Sequence, residues 1–553
     1  MHARRADRVA MRLKATPTHA FTGKNIPWLL ANQSELRSSH TFLRFEPFGG
    51  NAQTWTYREF SEDVARVAAG MAQLGVVAGD RVVIHMGNCP EFLLSWFACA
   101  HLGAVAVTTN TRSTPSELSF YLQDSQAVAA ITQPALLHGV SEAISHLEAP
   151  LRFVIVTATD LGEPPSHAAA SENLHFEDLR SHGTVDAHGS DALSYSSVQY
   201  TSGTTARPKG VVWTHANALW AGKTGSTVLG LGPDDVTLAF LPLFHTNALS
   251  YSMLSTLWSG GTLVVQPRFS ASRYWDAVVR NGCTWTSSIP FMLYALLEQP
   301  RPGPHRLRFW GLGATDVPLI RREFDIRTTG WFGMTETVTL VLASDLNLPN
   351  HPMAMGSPVP GYEVKVVDDD DVPVEFGQSG WLKIRAVPGV SLFAGYLNNV
   401  EATEDAFDAE GWFSTGDLVT PFDDGDIRFD GRGKDVLRVG AENVSAPEVE
   451  RVINAVRGVR ECAVVAAPDR MLDEVPVAFV LPNGSSDGLA EAVNEACRNA
   501  LAPFKVPREV ILVAELPRVT LGKIDKKLLR AWLAGPRQGP PPSSEPSNDG
   551  RSQ

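Results

Sequence analysis

The feature that most restricts the fold is an alternation of helical and strand patterns in residues 55–130. The amphipathic stretch YREFSEDVARVAAGMAQLG precedes the short apolar runs RVVIHM and GAVAVT. This alternation is typical of helices layered on a sheet, so we predict an α/β fold. The most apolar run, 92–107, contains Ser95 and His101 and is shorter than the roughly 20 residues of a membrane-spanning helix. We predict a buried helix that continues into a strand there.

The chain is long enough for more than one hydrophobic core, since it has 553 residues. After Pro360 the pattern changes to short strands and turns, and from Val436 to Trp532 it becomes a compact α+β pattern. The Pro-, Ser- and Gly-rich end cannot form a core. We predict a lead-in at 1–53, a large multi-layer N-terminal domain at 54–434 with a β-rich subdomain at about 360–430, a small C-terminal α+β domain at 435–532 and a disordered tail at 533–553.

Composition and charge exclude several classes of protein. The net charge of −13 and the lack of a long Lys/Arg block argue against a nucleic-acid partner, because phosphate neutralisation drives such binding. The basic residues near the start are not followed by the apolar core of a signal peptide, so we expect a cytoplasmic protein. The cysteines form no CxxC pair, which predicts reduced structural thiols rather than a zinc site or disulfides. They are Cys89, Cys99, Cys283, Cys462 and Cys497.

The segment YTSGTTARPKG, residues 200–210, has the composition of a phosphate-binding loop. Small hydroxyl side chains and exposed backbone N–H groups can surround phosphate oxygens, and a lysine adds positive charge. The Walker pattern is not met, because Pro208 stands at its second glycine and Gly210 at its Ser/Thr position. A P-loop ATPase is therefore disfavoured.

The same segment is similar to the TSGTTGxPKG signature of the adenylate-forming (ANL) superfamily, which includes acyl-CoA synthetases, luciferases and peptide-synthetase adenylation domains. Each short motif alone arises readily by chance, but several in the family's order do not. The resemblance covers about 54–532. Its further segments are LPLFHTNAL (241–249), GAT (313–315), FGMTET (332–337), GWFSTGDL (411–418), GRGKD (431–435) and PRVTLGKIDKK (517–527). The GAT segment resembles the family's strand that flanks adenine, which implies a strand there.

The resemblance implies an acid–thiol ligase that uses ATP, Mg²⁺ and coenzyme A. Such an enzyme joins a carboxylic acid to AMP and then passes the acyl group to the CoA thiol. Lys523 would reach the carboxylate and the α-phosphate, Thr335 would touch the α-phosphate, and Glu336 would hold Mg²⁺. Asp417 would bind the ribose hydroxyls. The residues implied in ATP or AMP binding are Thr201, Ser202, Gly203, Thr204, Thr205, Lys209, Gly313, Ala314, Thr315, Phe332, Gly333, Met334, Thr335, Asp417, Arg432 and Lys523.

The resemblance also implies an acyl pocket and a small mobile C-terminal domain. The family turns this domain about a hinge, here Asp435, so that a Gly-rich strand lines the pantetheine tunnel. Gly440, Ala441 and Glu442 are implied at that tunnel. His245 is implied in catalysis with Lys523, Glu336 and Thr335. The implied acyl pocket is lined by Phe244, His245, Asn247, Gly311, Trp331 and Phe332.

Two alanines depart from the family pattern. Ala206 replaces the glycine of TSGTTG, and Ala441 replaces a glycine of the GGEN-like segment. A left-handed backbone at Ala206 would cost roughly 1–2 kcal/mol, which slows a reaction without abolishing it. We expect both alanines to be tolerated.

Other functions stay open from the sequence. One alternative is an enzyme that makes only the thioester, from an acyl-AMP supplied by a partner adenylating enzyme. Another is a non-catalytic protein that binds nucleotide or acyl groups, although Lys523, Glu336 and Asp417 argue against it. An oxygenase resembling luciferase and a carrier-protein loader also remain, because the motifs do not specify the later chemistry. No carrier domain is recognisable, which favours free CoA as acceptor. The motifs identify neither the acid nor the oligomeric state.

Overall fold

A computed structural model describes residues 19–162, 174–201, 208–432, 436–439, 442–469, 473–501, 503–518 and 524–534. These residues form two compact units. The larger unit takes in the described parts of 1–364, 384–414 and 424–427. The smaller unit takes in those of 365–383, 415–423 and 428–553.

The strands are numbered along the chain. The first sixteen are β1 (Thr41–Phe45), β2 (Gln53–Thr56), β3 (Arg81–His85), β4 (Val105–Thr108), β5 (Ala129–Thr132), β6 (Phe153–Val156), β7 (Leu174–His175), β8 (Tyr195–Thr201), β9 (Lys209–Thr214), β10 (Val236–Ala239), β11 (Thr262–Val265), β12 (Trp285–Ser287), β13 (Phe309–Leu312), β14 (Arg327–Phe332), β15 (Leu342–Ala343) and β16 (Ser357–Pro358). The others are β17 (Glu363–Val367), β18 (Gly380–Arg385), β19 (Gly395–Tyr396), β20 (Phe413–Pro421), β21 (Ile427–Arg432), β22 (Val436–Val439), β23 (Glu442–Ser445), β24 (Val459–Asp469), β25 (Asp473–Pro482) and β26 (Glu509–Leu512).

The helices are numbered in the same way. They are α1 (Ile26–Leu36), α2 (Tyr57–Gln73), α3 (Pro90–Leu102), α4 (Pro115–Asp124), α5 (Leu137–Ser145), α6 (Phe176–Leu179), α7 (His215–Val228), α8 (Ser255–Ser259), α9 (Ala271–Asn281), α10 (Pro290–Leu297), α11 (Pro318–Phe324), α12 (Val400–Asp405), α13 (Ala446–Asn454), α14 (Leu489–Ala500) and α15 (Lys526–Ala534). A π-helix (Asn247–Leu254) precedes α8, and 3₁₀ turns form at Pro134–Leu136 and Pro503–Lys505.

Local sequence signals explain where several helices begin and end. The Thr56 side chain accepts a hydrogen bond from the Glu59 N–H, and the Glu59 carboxylate accepts one from the Thr56 N–H, which fixes the start of α2. Helix α3 ends at Gly103, whose φ of 70° lies in the left-handed region that glycine adopts without strain. Nearly every side chain of α3 is buried, as expected for its apolar sequence.

Two large sheets build the larger unit. One has nine strands in the order β16-β15-β14-β13-β12-β10-β11-β1-β2, with a parallel centre from β14 to β1. The other has eight strands in the order β19-β9-β8-β4-β3-β5-β6-β7, where β8 and β9 form an antiparallel hairpin. Because the carboxyl ends of parallel strands meet at one edge, the loops after β10, β12, β13 and β14 lie together.

A five-stranded sheet forms the centre of the smaller unit. Its order is β23-β22-β25-β24, with β26 beside β25. Val464 and Val480 are buried on one side of this sheet with Val449 of α13, and Phe479 on the other side with Leu529 of α15. A further four-stranded sheet, β17-β18-β20-β21, carries residues assigned to both units.

The structure confirms the predicted α/β fold, with a large N-terminal part of several sheets and a smaller α+β part. Helix α3 followed by β4 is the buried helix and strand predicted at 92–107. Helix α1 and strand β1 lie in the predicted lead-in, so that segment carries part of the fold. All five cysteines are buried and free. Within the described ranges, no helix has the length and apolar character needed to cross a membrane. The boundaries predicted at residues 54 and 435 stay predictions.

Candidate active site

The loops at the carboxyl edge of the nine-stranded sheet bring several predicted residues together. Thr335 follows β14, and its backbone carbonyl accepts a hydrogen bond from Trp213 Nε1 of β9 at 2.8 Å. The Thr246 hydroxyl is hydrogen-bonded to the Thr335 hydroxyl at 3.1 Å and to Gln199 Oε1 of β8 at 3.2 Å. The loop after β14 is therefore tied to the neighbouring eight-stranded sheet at two points.

Close packing fixes the backbone of the FGMTET segment. Gly333 has no room for a side chain, because a Cβ there would overlap the Tyr251 hydroxyl and the backbone of Thr339. The Met334 N–H donates to the Thr337 hydroxyl at 2.9 Å, which closes a tight turn. The turn presents Thr335 and Glu336 in succession.

Glu336 belongs to a chain of three polar side chains. The residue is 6% exposed, and its Oε1 accepts a hydrogen bond from the Tyr396 hydroxyl at 2.9 Å. Lys209 Nζ lies 4.6 Å from the centre of the Tyr396 ring, which is a cation–π distance. Burial and the adjacent Glu336 carboxylate raise the pKa of Tyr396, so the hydroxyl keeps its proton and remains a donor.

The β8–β9 hairpin carries the two described ends of the predicted phosphate loop. Thr201 pairs with Lys209 in the hairpin register. Just before this pair, the Tyr200 hydroxyl donates to Asp124 Oδ2 at 2.6 Å, and its ring stacks on Tyr121 with centroids 4.4 Å apart. The base of the loop is thus fixed. Ser202, Gly203, Thr204, Thr205 and Ala206 lie outside the described residues.

The predicted acyl-pocket residues lie where the π-helix meets β12, β13 and β14. The Phe244 and His245 rings are 4.7 Å apart just before the π-helix. The Ser287 hydroxyl donates to Asn247 Oδ1 at 2.6 Å and so orients the amide. Gly311 pairs with Ser287 in the sheet, and the Trp331 ring covers it. π-helices recur at functional sites, which suits this position.

The segment 313–315 lies beyond the end of β13, so the strand predicted at GAT is wrong. The pairing of β13 with β14 runs through Leu312, after which the Thr315 N–H donates to the Ala354 carbonyl at 2.8 Å. The Thr315 hydroxyl donates to the Thr328 carbonyl at 3.2 Å. Gly313 is exposed with open space around it, and Ala314 follows it in the bend. Phe332, the last residue of β14, is buried.

In the smaller unit, Asp417 is a fully buried residue of β20. Its N–H donates to the Thr415 hydroxyl at 3.1 Å. Arg432 is the last residue of β21 and Glu442 the first of β23, but only their backbones are described. The other predicted residues of this part, Asp435, Gly440, Ala441 and Lys523, lie outside the described residues.

Sequence reasoning missed several residues that the structure places at the site. Thr246 lies within the LPLFHTNAL segment and the others lie outside the motifs, and their contacts with predicted residues leave no local pattern in the sequence. The missed residues are Gln199, Trp213, Thr246, Tyr251, Ser287 and Tyr396.

One carboxylate at the site suits Mg²⁺ bound to a nucleotide. Among the residues that the structure describes, no three His, Cys, Asp or Glu side chains cluster as in a protein metal cage. Mg²⁺ usually binds one or two carboxylates together with substrate phosphates and water. Glu336, held by Tyr396, meets that requirement.

Two sequence profiles match the chain. The profile described as "AMP-binding enzyme" matches residues 30–397, and the profile described as "AMP-binding enzyme C-terminal domain" matches 448–523. A crotonobetaine/carnitine–CoA ligase of Salmonella paratyphi C is 32% identical over 519 residues, covering 92% of this chain and 99% of that protein. The protein of that name from Salmonella typhi is 31% identical over the same shares.

Solved structures of CoA ligases are also similar. The anthranilate CoA ligase AuaEII in complex with anthranoyl-AMP has a TM-score of 0.84 and 27% identity, covering 94% of this chain and 98% of that chain. ATP-bound MatB from Rhodopseudomonas palustris has a TM-score of 0.80 and 25% identity, covering 92% and 99%. A benzoate CoA ligase from Burkholderia xenovorans LB400 has a TM-score of 0.80 and 26% identity over the same shares.

Proposed function

Because this chain belongs to the AMP-binding enzyme family and is an AMP-forming acyl-CoA ligase, we propose which of its residues act in each of the two half-reactions. The observation that carries the proposal is the alignment of Lys209, Tyr396 and Glu336 beside Thr335. It brings positive charge, a buried carboxylate and a hydroxyl to one place, as phosphoryl transfer requires.

In the first half-reaction the substrate carboxylate attacks the α-phosphorus of ATP, and the bond to pyrophosphate breaks. Charge builds up on the phosphoryl oxygens and on the leaving group. Thr335 and Lys523 would stabilise the α-phosphate, and Lys209 with the loop 202–207 would surround the leaving pyrophosphate. Mg²⁺ at Glu336 would neutralise phosphate charge. Tyr396 would orient that carboxylate.

In the second half-reaction the CoA sulfur attacks the acyl carbon, the bond to AMP breaks, and the thiol loses its proton. A lysine at the α-phosphate is no longer needed, so the C-terminal domain is free to turn about Asp435. Gly440, Ala441 and Glu442 would then line the pantetheine path. Asp417 and Arg432 would hold the nucleotide through both steps. His245 would border the acyl group.

A thioester-forming enzyme that depends on a partner's acyl-AMP is not favoured, since the relatives are CoA ligases that match nearly the whole chain. A protein that only binds nucleotide is not favoured for the same reason. We place the reaction in the cytoplasm with free CoA as acceptor. The five free buried cysteines support that compartment, because cytosolic thiols stay reduced.

The test combines two assays on one panel of carboxylic acids. We expect the wild type to form a CoA thioester, detected by mass spectrometry, and to exchange pyrophosphate into ATP with the same acid. Lys523→Ala should lose the exchange but still convert preformed acyl-AMP and CoA into thioester. A matched control is Lys505→Ala, since Lys505 is a lysine of the smaller unit whose Nζ pairs with Glu448 at 2.8 Å.

The outcomes separate the hypotheses. Thioester from acyl-AMP without any exchange would favour the partner-dependent enzyme, and Ala206→Gly should then restore adenylation. Absence of both activities across the panel would favour the binding protein and contradict the ligase.

A further inference from the structure

Three consecutive backbone carbonyls of the FGMTET segment are bonded to three distant parts of the larger unit. The Thr335 carbonyl accepts a hydrogen bond from Trp213 Nε1 of β9 at 2.8 Å. The next carbonyl accepts one from the Phe393 N–H, just before β19, at 2.8 Å. The carbonyl after that accepts one from the Tyr362 hydroxyl, just before β17, at 2.9 Å. The turn that carries the proposed phosphate and Mg²⁺ residues is thus held from outside at three successive positions.

This turn has a strained backbone. Val338 follows it with a φ of 60°, in the left-handed region that a β-branched residue rarely adopts. Val338 is fully buried, and its N–H donates to the Thr335 carbonyl at 3.3 Å, so the strain lies within the same turn. A strained conformation persists only where the surrounding contacts hold it, and such positions cluster at functional sites. The bonds from outside therefore help to keep Thr335 and Glu336 in place.

Trp213 makes the bond at Thr335 itself. Its side chain is fully buried on β9, and an indole has one N–H donor and no acceptor. The structure places that single donor on the Thr335 carbonyl. The Thr335 hydroxyl is in turn hydrogen-bonded to Thr246 at 3.1 Å. Both the backbone and the side chain of Thr335 are therefore fixed, the backbone by the indole.

We propose that Trp213 is a positioning residue for the adenylation step. Its N–H fixes the Thr335 backbone so that the Thr335 hydroxyl is directed at one of the two non-bridging oxygens of the α-phosphate. The inference rests on the proposed function, because it requires Thr335 to contact that phosphate. A misplacement of about 1 Å at such a contact can cost up to about a hundredfold in rate, even when the altered residue is remote from the reacting atoms. Trp213 acts in this way without touching the substrate.

The test uses ATP with sulfur at a non-bridging position of the α-phosphate (ATPαS), as its separate Sp and Rp diastereomers. Pyrophosphate exchange is measured with the carboxylic acid of the panel that is exchanged fastest. Sulfur is a weak hydrogen-bond acceptor, so a hydroxyl directed at one position makes the two rates unequal. The ratio of the rates does not depend on the fraction of folded enzyme. We expect Trp213→Phe to move this ratio toward one by at least about threefold and to lower kcat with ATP by about tenfold, with little change in KM.

A double-mutant cycle shows whether Trp213 acts through Thr335. Thr335→Ala should itself move the ratio toward one, and Trp213→Phe should add little in that background, because coupled residues are not additive. Trp55→Phe is the matched control. It also removes the N–H of a buried indole, which here donates to Asp63 at 3.0 Å on the edge strand β2, so its ratio and kcat should equal those of the wild type.

A second variant guards against a Trp213→Phe protein that fails to fold. Trp213→benzothienylalanine replaces the indole N–H with sulfur at nearly the same shape, and it should shift the ratio in the same direction. A wild-type ratio near one, a native ratio in either folded variant, or fully additive effects in the cycle would overturn the inference.

Failure of the proposed function has a different outcome. Native exchange and a native ratio in Thr335→Ala would contradict the phosphate contact of Thr335 and overturn the role of Trp213 with it. Loss of exchange and thioester with every acid in the wild type would contradict the ligase function itself, on which the inference depends.

Discussion

The Tyr396 hydroxyl donates a hydrogen bond to Glu336 Oε1 at 2.9 Å, although the two residues are 60 positions apart in the chain. On its other side, the Tyr396 ring faces Lys209 Nζ. One side chain thus links the proposed phosphate lysine to the proposed Mg²⁺ ligand. Its removal should disturb the positions of both.

Tyr396→Phe should raise the Mg²⁺ concentration needed for half-maximal pyrophosphate exchange and lower the maximal rate. A hydrogen bond to a charged group is worth about 1.5–3 kcal/mol, or roughly a tenfold to hundredfold change. A Mg²⁺ titration of the exchange reaction measures this. Tyr195→Phe, which removes a hydroxyl at the start of β8, should behave as the wild type. An unchanged titration in the Tyr396 variant would show that the hydroxyl does not position Glu336.

Asp417→Ala should weaken binding of AMP and of acyl-adenylate analogues, because two charge-assisted hydrogen bonds to the ribose are lost. Each is worth about 1.5–3 kcal/mol when shielded from water. Calorimetric titration with AMP gives the affinity directly. Asp417→Asn should retain part of the binding, because an amide oxygen still accepts. Equal affinity in the wild type and the alanine variant would place the ribose elsewhere.

Asp435→Pro should leave pyrophosphate exchange intact but block thioester formation. Proline fixes φ, and a hinge must change φ and ψ between the two half-reactions. The two activities are measured in parallel on one preparation. Asp435→Ala is the control, since it removes the carboxylate and keeps the backbone free. Native thioester rates in the proline variant would argue against a turning C-terminal domain.

The larger unit should lose stability as the pH falls from 6.5 toward 4. Burial lowers the pKa of His85 and of His215 from 6.5 to about 4, with His188 adding to the shift at His215. Below pH 6.5 the unfolded chain binds protons that the folded chain does not, so unfolding becomes easier. Each histidine contributes roughly 3 kcal/mol between these limits.

Thermal unfolding midpoints from pH 7.5 to pH 4.5 measure the effect. In His215→Gln the unfolding midpoint should fall less with decreasing pH than in the wild type. His138→Gln, at an exposed position, should leave it unchanged. A midpoint that stays constant over this range in the wild type would contradict the prediction.

Much of the fold follows from local patterns in the sequence. The amphipathic pattern of α2 and the apolar run of α3 predict their helices, because each signal lies within the element it forms. Helix α1 was not predicted, since only its first residues, Ile26–Leu30, form an apolar run and most of the residues after them are polar. The strand predicted at 313–315 failed because the Ala354 carbonyl, which is distant in sequence, takes the Thr315 N–H.

The sequence predicted residues of the candidate site only within its motifs. The FGMTET segment predicted Thr335 and Glu336, and the structure places Thr335 beside Thr246 and Glu336 beside Tyr396. Their part in phosphate and Mg²⁺ binding stays a prediction. Tyr396 and Thr246 were not predicted, because they act through contacts that the folded sheets create. The Trp331 ring lies over Gly311 because β13 pairs with β14, and no local sequence pattern predicts that contact.

The five buried thiols can report local opening of this chain without an added probe. Three of them belong to the larger unit, whereas Cys462 and Cys497 belong to the smaller one. Burial raises the pKa of Cys99 and Cys283 to about 12 and that of Cys497 to about 11, so thiolate is scarce while the fold is closed. A thiol-alkylating reagent followed by mass spectrometry would therefore label each cysteine only when its unit opens. Labelled peptides from the larger and the smaller unit would report the opening of each unit separately, without an added dye.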